Sequence, residues 1–160
     1  MILKKSLGTA DFPSVLEPAG LSRNDGKRPD GLTLMPYQGG KSLIWDYTCV
    51  DTTAPSNISL SLEGAGKAAE RAEEKKWDHY SELSKTFHFV PIASETFGAW
   101  APSSHKFIKD LGQRIRMISG QQNSSFFLFQ SLGVEVQRGN AASVIGTLAS
   151  SERLEEVFYL

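Results

Sequence analysis

The chain has a single cysteine, Cys49, among its 160 residues. That excludes an intrachain disulfide framework and a cysteine-rich zinc site, and it fits a reducing compartment. No apolar run approaches the length of a membrane span, and Met1 to Lys5 is too short and too charged for a signal peptide. The expectation is an intracellular protein with no membrane partner, in which Asn57-Ile58-Ser59 and Asn123-Ser124-Ser125 match the glycosylation sequon by accident. Charge of one sign is not in excess: the formal net charge is -1, so any contact with nucleic acid must rest on local patches. There is no internal repeat, no low-complexity segment, no zinc finger and no nucleophile motif to accompany the three histidines.

What is present is an ordinary globular mix, 40% apolar and 22% charged. The length suits one domain that can bury a core without a disulfide or a structural metal. Residues 1–29 are dense in proline and glycine and are expected to be an irregular lead-in. The domain proper is expected over 30–148, and 149–160 is expected to be a tail. GLTLMPY (31–37) and SLIWDYTCV (42–50) predict two strands joined at Gly39-Gly40 as a hairpin. A helix rich in Ala, Glu and Lys is predicted from Gly64 or Ala65 to about Ser84. FHFVPIA (87–93) predicts a strand whose Pro91 suggests an edge or a strand end. Phe107, Ile108, Leu111, Ile115 and Ile118 recur at helical spacing over 103–118, with Ser103 or Ser104 as a cap and Gly120 as a stop. A further helix should start near Ser124 and break at Gly133 or Gly139. The pattern is an α/β or α+β arrangement, a small mixed sheet flanked by helices.

Three polar residues sit where apolar ones are expected. Asp46 lies mid-strand and shares a face with Ile44 and Thr48. A charge there is costly unless it is paired or bound to a metal. Asp30 opens the neighbouring strand. A regular hairpin turning at Gly39-Gly40 sets Leu34 opposite Trp45 and leaves Asp30 near Val50, out of step with Asp46 unless a bulge intervenes. Lys76 interrupts an inward stripe of Ala69, Ala72, Tyr80 and Leu83. For each residue the plain reading is structural: a turn aspartate, a paired aspartate, a snorkelling lysine. Together they make a candidate metal site, because hard cations such as Mg²⁺ take one or two carboxylates from a protein.

GLSRNDGKRPDGLTL, LIWDYTCVDTTAPS, the helix with KKWDHY, and FHFVPIASETFG follow one another in order. Over roughly Glu17 to Gln137 the chain resembles the restriction-like endonuclease domain of non-LTR retrotransposons, within the PD-(D/E)xK nuclease superfamily. The resemblance implies a restriction-endonuclease-like fold and metal-dependent nicking of DNA. Pro29-Asp30 matches the PD element, Asp46 the second acid, and Lys76 with Tyr80 the lysine displaced onto a helix. Thr48 stands where the simplest pattern has its lysine. Asp30 and Asp46 would hold Mg²⁺ or Mn²⁺, and Lys76 would add electrostatic stabilisation. Glu17 is the upstream candidate for the extra glutamate of some members, although Pro18 and Gly20 follow it.

The resemblance also implies double-stranded DNA as partner, a reverse-transcriptase domain in the parent element, and a nuclear location. Arg23, Lys27 and Arg28 crowd the approach to Asp30 and are the candidate phosphate contacts. Lys41 at the hairpin turn and the basic residues of 105–116 form a second set, equally well read as a solvated face. Glu95 is either a capping carboxylate or a partner standing beside Lys76. Two rival readings stand against an active nuclease: an inactive, domesticated copy that binds nucleic acid or protein, and an interaction module with no nucleic-acid role.

Overall fold

The computed structural model describes residues 2–21 and 28–147. Its elements run α1 (Ile2–Thr9), β1 (Ser14–Leu16), β2 (Gly31–Gln38), β3 (Lys41–Val50), α2 (Ile58–Glu63), α3 (Lys67–His79), α4 (Ser81–Thr86), β4 (His88–Glu95), α5 (Pro102–Ser119) and α6 (Ser124–Ile145). The strands form one mixed sheet in the order β1-β2-β3-β4, antiparallel except for the parallel pair β3–β4. No helix of the described residues is long and apolar enough to cross a membrane.

Alternation along β3 and β4 builds a core on each face. Leu43, Trp45, Val90 and Ile92 meet α1, α5 and α6. Ile44 and Phe89 meet Tyr80 and Leu83 on the other side, where Ala69 and Ala72 of α3 pack on Ala93. These small residues let α3 lie close over the sheet. β4 is the edge strand that Pro91 suggested, yet its residues from Phe89 to Glu95 are buried because helices cover both faces.

Several expectations are corrected. Within 1–29, expected to be an irregular lead-in, Ile2–Thr9 form a helix and Ser14–Leu16 a strand. Leu3, Leu7, Ala10 and Phe12 are buried in the main core, and β1 adds a fourth strand. The apolar repeat of α1 is only two turns long, too short to stand out in sequence. The helix expected to reach Ser84 ends at Tyr80 and restarts as α4. The residues after Asn57 form the short α2, with no buried side chain. In α6 neither Gly133 nor Gly139 breaks the helix; nothing crowds either glycine, and a mid-helix glycine costs only about 1 kcal/mol. Gly120 does end α5, at φ 73°.

Neither Ser103 nor Ser104 caps α5. The N-cap is Ala101, and the capping group is a carboxylate from another helix. Glu73 accepts the Ser104 N–H at 2.8 Å and the hydroxyls of Ser103 and Ser104. The tail 149–160 lies outside the described residues.

Candidate active site

The hairpin register decides where Asp30 falls. At the turn Gln38 stands opposite Lys41, and an unbroken ladder would carry Gly31 to Thr48. Gly31 instead faces Trp45, three residues earlier, after shifts on either side of Pro36. The cause is local. Pro36 has no N–H to give the ladder. The Thr33 hydroxyl inserts itself, accepting the Leu43 N–H at 2.8 Å and donating to the Met35 carbonyl at 2.8 Å. The regular register that leaves Asp30 near Val50 is therefore wrong, and the bulge draws Asp30 level with Asp46. Gly31 is required beside it, since a Cβ there would fall inside the Trp45 ring.

β2 ends at this point and β3 continues. Asp30 Oδ2 accepts the Tyr47 N–H at 2.7 Å, replacing the carbonyl that a longer β2 would have supplied. Burial pushes the Asp30 carboxyl above its ordinary value. The Tyr47 N–H opposes this, the charge of Asp46 adds to it, Lys76 opposes it, and Glu17 adds to it more weakly. All three charges are thus near enough to act on Asp30.

Asp46 is buried on the α3 face, and Lys76 Nζ bonds its Oδ2. The two side chains are 13% and 17% exposed, so this pair is only lightly screened. Lys76 lies on the inward stripe, with Ala69 and Tyr80 buried along it and Lys75 in solvent. Tyr80 packs against Phe89 with ring centroids 4.7 Å apart, anchoring the end of α3. Thr48, two residues beyond Asp46, faces Ala93 of β4 in the register.

Glu17 follows β1 with a left-handed backbone, φ 46°. Its N–H donates to the Asp30 carbonyl at 2.9 Å, and its carboxylate pairs with Arg28. Glu17 and Arg28 therefore stand next to Asp30. Arg23 and Lys27 lie outside the described residues.

Other expectations resolve as scaffold. Glu95 accepts from the N–H groups of Ala68 and Ala69 at 3.0 and 3.4 Å, which caps α3. That is about two helical turns from Lys76, so Glu95 is the capping carboxylate and does not stand beside the lysine. Lys41 Nζ donates to the carbonyls of Ser84 and Lys85, closing the end of α4. Arg114 donates to the Ala10 carbonyl at 2.8 Å and covers the Phe12 ring.

The buried Glu73 has no counterpart in the sequence reading. Its signal was there: it lies four residues after Ala69 and three before Lys76, on the inward side of α3. The Tyr47 N–H that fixes Asp30 is a backbone group and carries no sequence signal.

Among the described residues no three His, Cys, Asp or Glu side chains are grouped to hold a metal ion. Of the described residues, Asp30 and Asp46 are the ones that could hold a cation here. No protein-family model matches the chain, and no curated protein matches its sequence.

Proposed function

We propose that the chain is a metal-dependent DNA endonuclease domain that nicks phosphodiester bonds, with a restriction-endonuclease-like fold. The observation that carries this reading is the convergence of Asp30, Asp46 and Lys76 at the point where β2 stops. A bulge, a missing strand end and a lysine on the inward side of α3 all meet at that one spot.

The residues fit a hard divalent cation. Asp30 and Asp46 offer carboxylate oxygens, which suits Mg²⁺ or Mn²⁺. The charge of Asp46 also pushes Asp30 toward protonation, and a cation bound to both would relieve that repulsion. Such a cation would supply a water of lowered pKa and neutralise charge developing on the phosphate.

The chain's own residues do the rest. The Tyr47 N–H holds Asp30 in one orientation. Lys76, seated on the rigid α3, brings a positive charge to the edge of the site, where an anionic transition state would gain most from it. Arg28 lies beside Asp30 on the exposed side and can meet a phosphate after parting from Glu17.

Plasmid nicking in Mg²⁺ and in Mn²⁺ tests the proposal, comparing wild type with Asp46→Ala and Lys76→Ala. Wild type should nick and both variants should lose at least a hundredfold. DNA binding with no nicking in either metal would favour the inactive copy. Equal nicking by wild type and Asp46→Ala would remove Asp46 from the site.

A further inference from the structure

On the opposite face of β3 from Asp46, a pocket partly open to solvent lies beside the main core. A cavity of about 240 Å³ is walled by Leu3, Tyr47, Ile92, Trp100, Ile108 and Leu132, with the half-exposed Glu135 also on its lining. The space is open enough for a small ligand to enter and deep enough to bury much of it.

Ordered water finds few partners there, and it needs two to four. The Tyr47 hydroxyl and the Ser94 hydroxyl are already bonded to each other at 2.8 Å. The Glu135 carboxylate accepts from Arg138 at 2.9 Å through Oε1, which leaves acceptor capacity on the group for a ligand donor. The remaining walls named above are aliphatic or aromatic. An apolar cavity of roughly 150 Å³ is large enough to take up benzene, and this one is larger.

We infer that the cavity is a binding site for a small neutral aromatic molecule of one or two fused rings, bearing an N–H or O–H donor turned toward Glu135. The rings of Tyr47 and Trp100 offer faces and edges to a flat molecule. A charged ligand would lose its hydration against apolar walls, and the charge of Glu135 is already matched by Arg138. The inference does not depend on the nuclease reading.

Indole is the probe, with benzothiophene as a counterpart of the same shape and no N–H. Both are titrated into the full chain, followed by amide NMR shifts and by thermal unfolding. Indole should shift the amides of Ile92, Ile108 and Leu132 saturably, leave those of α4 unmoved, and raise the Tm with concentration.

Leu132→Phe and, separately, Leu3→Phe fill the space and should weaken indole at least tenfold. Leu62→Phe on the surface should change nothing. Indole should bind several-fold more tightly than benzothiophene, and Glu135→Gln should narrow that gap. No saturable shift up to the solubility limit of indole would overturn the site. So would unchanged binding in both filled variants, provided they unfold cooperatively. Equal affinity for the two probes would remove the donor from the ligand class.

Discussion

Asp30 and Tyr47 are tied side chain to backbone: Asp30 Oδ2 takes the Tyr47 N–H at 2.7 Å where β2 runs out. One carboxylate oxygen thereby finishes a β-ladder. The bond anchors the side chain without neutralising it. A negative charge in this partly desolvated place costs stability, and a bound cation would offset that cost.

That cost gives a pH-dependent prediction for Asp30→Asn. Burial and Asp46 raise the folded Asp30 carboxyl above its unfolded value of about 3.9. The fold therefore prefers the protonated form. Its contribution to stability is complete below the unfolded value and is lost as pH rises through the folded one. Asparagine resembles the protonated acid and keeps an oxygen for Tyr47. Asp30→Asn should unfold at a higher temperature than wild type at pH 7, with the gap closing below pH 4. A pH-independent gap, or a lower Tm at pH 7, would contradict the assignment.

Lys76→Met leaves the buried Asp46 carboxylate without its ion-pair partner. Such a loss costs about 3–5 kcal/mol in a fully buried pair, and about 1–3 kcal/mol is expected at this partial exposure. Asp46→Asn in the same background should recover much of it. Urea unfolding of the double-mutant cycle measures the coupling; independent, additive losses would show that the pair contributes nothing.

Gly31→Ala forces a methyl group into the Trp45 ring. Trp45 is fully buried and cannot step aside, so a loss of about 1–3 kcal/mol or more is expected. Because Gly31 follows Asp30, nicking should fall as well, even at temperatures where the variant is folded. Full activity in a folded Gly31→Ala protein would separate the Trp45 contact from the site.

Glu73→Ala strips the first turn of α5 of its carboxylate and strands two serine hydroxyls. A loss of about 2–3 kcal/mol is expected, with faster hydrogen exchange at Ser104 and His105. Breaking the exposed Lys106–Asp110 pair by Lys106→Ala should change stability by less than about 0.5 kcal/mol. A similar effect of the two changes on urea unfolding would refute the capping role.

Much of the sheet and its helices was legible because the signals are local. Two glycines in a row turn the β2–β3 hairpin, alternation sorts Ile44 from Trp45, and helical spacing marks the buried face of α5. The inward stripe that carries Lys76 was legible for the same reason. Missed elements failed by length or by chemistry. The apolar repeat of α1 spans two turns, and β1 has three residues. The serines at the start of α5 promise a local cap, but Glu73, 31 residues before Ser104 in the chain, supplies it.

The sequence by itself determined the parts: an aspartate before one strand, an aspartate within the next, and a lysine on the inward face of a helix. Residue type and period fix these, since they depend only on near neighbours. Only the tertiary structure decided that the parts meet. A regular ladder carries Asp30 toward the far end of β3. The three-residue slip brings it to Asp46, and that slip comes from a proline that cannot donate, a threonine hydroxyl that enters the ladder, and a tryptophan ring lying against Gly31. The last two are contacts across the hairpin between residues ten or more positions apart, which no local pattern encodes.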